Sequence, residues 1–156
     1  PRVFAGSSYV LPYPSYMPGN TLYTPRLMLN KLTSYLYFGD FGKFTHSLTE
    51  SDNYLVEAKT LFEYKQYLLA MSSLKKSDFY FMKTKPNLDK AKNNGKNITD
   101  KQKVLREASG KHIEVLTKLK TELPKSFAWT PEKSESINLE IEKALENSIK
   151  LRSNNL

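Results

Sequence analysis

The chain contains no cysteine. Disulfides, thiolate nucleophiles and cysteine-ligated metal centres are therefore excluded together. The compartment is not fixed by this, because a cysteine-free chain suits the cytosol and an oxidising space alike. His46 and His112 are the only imidazoles, and a metal site built on them would need both side chains close together, with carboxylates beside them. Arginine supplies only four of the 24 cationic residues. Sequence-specific base reading favours bidentate arginine, so a lysine-dominated surface argues against it. No apolar run reaches the roughly 18–20 residues of a membrane-spanning helix. There is no Gly-x-Ser-x-Gly elbow and no glycine-rich phosphate loop. These absences lead us to expect no enzymatic activity, no catalytic residue, no metal and no cofactor.

Proline is unevenly spread. Of eight prolines, only Pro86, Pro124 and Pro131 follow residue 25. Pro1, Pro12, Pro14, Pro18 and Pro25 instead interleave with Tyr9, Tyr13, Tyr16 and Tyr23, in a stretch without Asp, Glu or Lys. Proline fixes its own φ and pushes the preceding residue out of the helical region. Residues 1–24 are therefore expected to form an extended arm, its tyrosines lying along a helical surface as a strap, with a turn at Pro18-Gly19-Asn20. The chain opens on Pro-Arg-Val-Phe rather than methionine. That suggests a removed segment, either a signal peptide or a membrane anchor, or a cloning deletion.

Residues 25–152 read as one all-α domain of about five helices, arranged as a bundle or as stacked helical hairpins. The first helix starts at the Thr24-Pro25 cap and ends near Phe38, before Gly39 and Gly42. The second covers about Lys43 to Phe62, with Phe41, Phe44, Leu48, Leu55, Ala58 and Phe62 on one face and Ser51 as the polar slot. Its opposite face carries Thr45, Glu50, Asn53 and Lys59. The third runs from about Tyr64 to Lys83 and breaks at Pro86, with a further turn at Leu88 and Ala91 and a stop at Asn93-Asn94-Gly95. The fourth begins at Thr99 or Asp100, carries the clearest apolar stripe through Leu105, His112, Leu116 and Leu123, and ends at Pro124. Gly110 within it suggests a closely packed neighbour. Residues 124–130 read as a loop holding Trp129, and Thr130-Pro131 as the start of a fifth helix reaching Arg152. No strand is expected.

Two resemblances follow. Ala58, Leu61, Tyr67, Ala70, Leu74 and Ser77 resemble the small–large rhythm of a tetratricopeptide hairpin, with one unit visible. The stretch Tyr9-Val-Leu-Pro-Tyr-Pro-Ser-Tyr-Met-Pro-Gly-Asn-Thr-Leu-Tyr23, followed by Arg26 to Leu32, resembles the entry motif of an uncharacterised bacterial family of helical domains. Ser15, Gly19 and Thr21 depart from that family's Gly, Asp and Pro. Ser51-Asp52-Asn53-Tyr54-Leu55 stands in the place of its Ala-Asp-Lys-Arg-Leu. The resemblance covers about residues 9–80. It implies an extracytoplasmic helical domain, periplasmic or at the cell surface, with cytoplasmic location as the alternative. It brings no activity and no catalytic residues.

Two surfaces stand out as candidates. Tyr54, Tyr64, Tyr67 and Tyr80 are expected to line a groove and anchor a protein partner, because amphipathic aromatics suit interfaces. Lys75, Lys76, Lys83, Lys85, Lys90, Lys92 and Lys96, continued by Lys101 and Lys103, form a basic run interrupted only by Asp78, Asp89 and Asp100. With Phe79, Tyr80 and Phe81 beside it, this run suits single-stranded nucleic acid or anionic lipid. The net charge of +8 agrees with either surface. His112 is expected as a packed, hydrogen-bonded core histidine and His46 as a helix-surface partner of Glu50. Glu140, Glu142 and Glu146 are expected on a solvated helix face. Asn97-Ile98-Thr99 matches a glycosylation sequon that carries little weight alone.

Overall fold

The computed structural model describes residues 7–14, Met28 and residues 38–156. The first expected helix up to residue 37, the Pro18-Gly19-Asn20 turn and the entry motif beyond Pro14 lie outside the described residues. The elements run α1 (Gly39–Glu63), α2 (Tyr67–Phe81), α3 (Thr84–Asn93), α4 (Thr99–Glu122), β1 (Phe127–Trp129), β2 (Ile137–Leu139) and α5 (Ile141–Ser153). The fold is all-α, with one small antiparallel hairpin.

α1 starts four residues earlier than the expected Lys43. Gly39 takes a left-handed φ of +72° and the helix grows directly from it. Asp40 in the first turn opposes the helix dipole favourably. At the other end Gln66 N–H donates to the Leu61 carbonyl (2.9 Å) and Lys65 N–H to the Phe62 carbonyl (3.0 Å). This is a Schellman cap with Lys65 at the left-handed position, φ 58°. The chain reverses there. Ser51 pairs with Ser77 and Glu57 with Ser73, so partners on α2 fall in number as those on α1 rise. The two helices are therefore an antiparallel hairpin.

Pro86 does not end a helix. It occupies the first turn of α3, where backbone N–H groups have no intrahelical partner and its missing donor costs nothing. The break falls at Met82–Lys83 instead, and Leu88 and Ala91 belong to a ten-residue helix rather than a turn. Gly95, φ 80°, closes that helix as expected. The N-cap position of α4 is Ile98, not Thr99 or Asp100; Asn97 before it makes an Asx-type turn, its Oδ1 accepting from Thr99 N–H at 3.0 Å. Its end falls at Glu122, one residue before an extended Leu123 and Pro124.

The largest departure lies between 124 and 140. Phe127 pairs with Leu139, Ala128 with Asn138 and Trp129 with Ile137. The fifth helix therefore starts at Ile141, ten residues after the expected Pro131. Thr130-Pro131 serves the hairpin connection, and the aromatic and branched residues on either side favour a pleated surface. Ser134, Ser136 and Asn138 are weak helix formers, which removes the competing helix. Tyr67 packs on Phe127 with ring centroids 4.7 Å apart, and Leu139 is buried in the core, so the hairpin is fastened at one edge.

The core divides into two apolar clusters. One joins Leu55, Leu61 and Phe62 of α1 to Leu74, Leu116, Leu119, Ile141 and Leu145. The other joins Phe44 and Leu48 to Phe81, Leu88 and Leu105. α1 runs through both and is buried on more than one side. Glu50 and Glu57, though polar, are buried with it, which corrects the expectation that Glu50 lies on a solvated face. Residues 7–14 form no regular element but alternate along the body: Ser7, Tyr9 and Leu11 turn inward while Ser8, Val10 and Pro12 are exposed.

Gly110 on α4 faces Ser7 and Leu156, yet a Cβ placed there would meet them at 3.9 and 4.0 Å, ordinary contact distances. Neighbours do pass close, but the space does not require glycine. Gly110→Ala is thus expected to stabilise the fold by about 0.5–1 kcal/mol through helix propensity. Lys65→Gly should gain a similar amount, about 0.5–1 kcal/mol, by relieving the left-handed lysine. Urea denaturation of each single variant checks both, and a loss of stability in either would contradict the local geometry.

Candidate functional site

Between the two apolar clusters lies a polar centre built from all the long helices and the arm. Arg152 of α5 is fully buried. Its Nε donates to His112 Nδ1 (2.8 Å), its Nη1 to Asp78 Oδ1 (2.6 Å) and the Ser148 carbonyl (3.0 Å), and its Nη2 to Ser77 Oγ (2.9 Å). Arginine can only donate, so His112 must carry its proton on Nε2. That proton goes to Asp52 Oδ1 at 2.6 Å. Asp52 Oδ2 accepts from the Tyr9 hydroxyl at 2.5 Å, which fastens the arm to the centre. Asp78 Oδ2 accepts from Ser148 Oγ at 2.6 Å. Ser51 and Ser77 each donate to the other's carbonyl, at 2.9 and 2.7 Å. Phe81 covers the assembly, its ring 4.8 Å from the guanidinium carbon and 5.5 Å from the His112 ring.

Burial lowers the His112 pKa and the Arg152 charge lowers it further, against the opposing pull of the Asp52 hydrogen bond. Burial beside Asp52 raises that of Tyr9. Protonating His112 would also set an N–H against an N–H at Arg152. His112 and Arg152 expose no surface, so neither meets a solute in this conformation. The centre holds the helices in register. His112 is the packed, hydrogen-bonded histidine that its place on the apolar stripe suggested. Asp52, Asp78 and Arg152 had not been singled out as its partners. The signal was available for Arg152: Ile141, Leu145, Ser148 and Arg152 recur at helical spacing, on the buried side of α5.

The surface is where partners can act. Tyr54, Tyr64, Tyr67 and Tyr80 do not share a groove. Tyr54 is only 7% exposed and stacks on half-buried Tyr80, centroids 5.8 Å apart. Tyr67 is half-buried between Phe62 and Phe127. Tyr64 is exposed and lines a cleft of about 590 Å³ between α1 and α4, beside Leu11 and Pro12 of the arm. The expectation fails because α1 is enclosed, which takes Tyr54 inside.

The lysines are arranged differently. Lys75, Lys83, Lys85, Lys90, Lys92, Lys96 and Lys103 are exposed, and Lys76 and Lys101 half-buried. Among the described residues, none of these nine is joined to a carboxylate within 4 Å. Lys59, Lys111, Lys118, Lys120 and Lys125, elsewhere on the surface, all are. Glu142 and Glu146 of the expected acidic face serve two of those pairs. Asp78, which interrupts the basic run in sequence, is turned toward Arg152. Several of the lysines lie over rings instead: Lys83 over Phe79 at 3.9 Å, Lys76 over Tyr54 at 5.3 Å, Lys96 over Phe41 at 5.1 Å.

A second cleft, of about 460 Å³, opens within this basic region, at the junction of α1, α2 and α3. Lys43, Lys83 and Lys90 reach it, Phe79, Met82 and Pro86 supply apolar wall, and no Asp or Glu lines it. Phe79 and Met82 are 50% and 54% exposed. His46 lines it too, with its ring edge-on to Tyr80 at 6.0 Å, and burial together with Lys83 lowers its pKa. Glu50 is buried, so the two do not form the solvated pair expected from their spacing. Among the described residues no group of three His, Asp or Glu side chains is placed to hold a metal, and no helix is long and apolar enough to cross a membrane.

Compared with protein-family models, curated proteins and solved structures, the chain matches none.

The buried centre has a measurable consequence. His112 in the unfolded chain titrates near its ordinary value of about 6.5, and in the folded chain lower. Below about pH 6.5 the unfolded state therefore binds the extra proton, and stability should fall by up to about 1.4 kcal/mol per pH unit until the folded value is reached. Urea titrations at pH 7 and pH 5 in a His46→Gln background follow His112; an unchanged midpoint would show that folding leaves its pKa unshifted, and a midpoint that rises at pH 5 would show that it is charged when folded. Tyr9→Phe, which deprives Asp52 of a donor, should cost about 1.5–3 kcal/mol in the same assay.

Proposed function

We propose that this protein is a non-enzymatic interaction module that docks on the acidic surface of a partner protein through its α2–α3 face. The single observation that carries this reading is the lysine surface around an apolar-walled cleft, none of whose nine lysines is joined to a described carboxylate, whereas half of the other described lysines are ion-paired. Electrostatic complementarity of this kind steers association and sets orientation. Phe79 and Met82 supply exposed apolar area at its centre, the arrangement of a desolvated anchor within a polar rim. The resemblance of the arm to a bacterial extracytoplasmic family supports a location outside the cytoplasm, and the tetratricopeptide-like rhythm of α1 and α2 suits a scaffold role.

Binding to single-stranded nucleic acid is the second reading, favoured by the same charge. It is the weaker one because stacking platforms need open ring faces. Tyr54 and Tyr80 stack on each other, and Lys83 covers a face of Phe79. Anionic lipid would be met by the same lysines.

Fluorescence anisotropy with labelled poly-glutamate, an oligothymidylate and phosphatidylserine vesicles separates these outcomes. Poly-glutamate should bind, weakening as salt rises through about 50–200 mM. Lys85→Glu with Lys92→Glu, both exposed on α3, should reduce that affinity by roughly tenfold or more, because like charge then faces the probe. Tighter binding of the oligonucleotide would transfer the function to nucleic acid, and tighter binding of vesicles to a membrane surface. No salt-sensitive binding to any of the three would defeat the reading.

A further inference from the structure

We propose that the cleft at the junction of α1, α2 and α3 is a binding site for a phosphomonoester carried on an aromatic ring. The inference rests on the basic-face reading for the availability of its lysines, and goes further by assigning one bounded site and one ligand chemistry. The cleft, at about 460 Å³, lies within the range of about 300–1,000 Å³ typical of small-ligand sites. Its wall is apolar where Phe79, Met82 and Pro86 meet; with one face of Phe79 covered by Lys83, the Met82 thioether supplies the favourable contact for an aromatic guest. Its cations come from three separate segments: Lys43 on α1, Lys83 between α2 and α3, and Lys90 on α3.

The type of cation selects the anion. Arginine's planar fork matches a carboxylate, whereas lysines act as point charges and gain most from an anion of higher charge approached from several sides. A phosphomonoester carries about −1.5 to −2 at pH 7, with three acceptor oxygens. The lining offers no carboxylate to repel it. His46 lines the same cleft, and a dianion bound there favours its charged form. Among the described residues, Tyr80 and Lys83 face His46, and Lys43 and Lys90 share its cleft. In the free protein burial and Lys83 hold its pKa down. A bound dianion reverses the balance of charge at the ring, so binding raises the His46 pKa above its free-protein value, at pH values above the phosphate's own second pKa of about 6.

The experiment is an NMR titration of the full chain at pH 7.5 with phenyl phosphate, benzoate, inorganic phosphate and a phosphotyrosyl pentapeptide, following amides 79–90 and the two imidazoles. Phenyl phosphate should bind at least tenfold more tightly than benzoate or inorganic phosphate. It should also raise the His46 pKa by about one unit, while buried His112 stays unchanged as an internal control. Lys43→Gln and Lys90→Gln, both at exposed positions that the fold tolerates, should each weaken binding at least threefold. Binding of the peptide alongside phenyl phosphate identifies the source as a side chain of a partner, and binding of phenyl phosphate alone identifies a free small molecule. Equal binding of inorganic phosphate or benzoate, or shifts that miss residues 79–90 and His46, would overturn the proposal. Poly-glutamate binding without phenyl phosphate binding sinks the cleft assignment and leaves the acidic-partner reading standing. The reverse pattern sinks that reading and leaves the cleft as a small-ligand site.

Discussion

Arg152 is a full positive charge enclosed by protein. An isolated buried cation is prohibitively costly, and it persists only where its donors are met and its charge is balanced. Each arm of the guanidinium therefore specifies a position on another helix: Nε fixes α4 through His112, Nη1 fixes α2 through Asp78, and Nη2 reaches Ser77. His112 passes the constraint to α1 through Asp52, and Asp52 passes it to the arm through Tyr9. The apolar clusters on either side supply most of the driving force for collapse. They are made of interchangeable aliphatic shapes, and volume alone tolerates several packings. The polar centre admits one register.

The same centre shapes the surface. By drawing Asp78 inward, Arg152 removes a carboxylate that would otherwise sit among Lys75, Lys76 and Lys83. The basic face thus owes part of its field to a charge buried beneath it. The enclosure of α1 has a parallel effect on the aromatics: Tyr54 is drawn in and stacks on Tyr80, leaving Phe79 and Met82 as the apolar groups offered to solvent there.

Much of the helical fold was legible in the sequence, because period-3.6 apolar spacing and proline and glycine punctuation act locally. α4 came out nearly residue for residue, with its stripe from Leu105 to Leu119 and its stop before Pro124. The failures have a common cause. Pro86 reads as a breaker and Thr130-Pro131 as a helix start, since the residues alone do not reveal whether a proline stands in a first turn or in a hairpin connection. The hairpin itself depends on Tyr67 and the core beneath Leu139, contacts distant in sequence. The basic face was visible as a run of lysines. The cleft within it was not, because Lys43 and His46 come from a helix more than thirty residues before Phe79. Asp52 and Asp78 looked like ordinary surface acids until α5 was laid against them.

Tyr9 and Arg152 meet the Asp52–His112 pair from opposite ends of the described sequence, and Arg152 also holds Asp78. Without α5, Asp52, Asp78 and His112 would have no cation among them in the described residues. Two carboxylates would share a closing interior without a counter-charge, which opposes its drying. Close packing of this interior is therefore coupled to the docking of α5, whose guanidinium balances the carboxylates it meets.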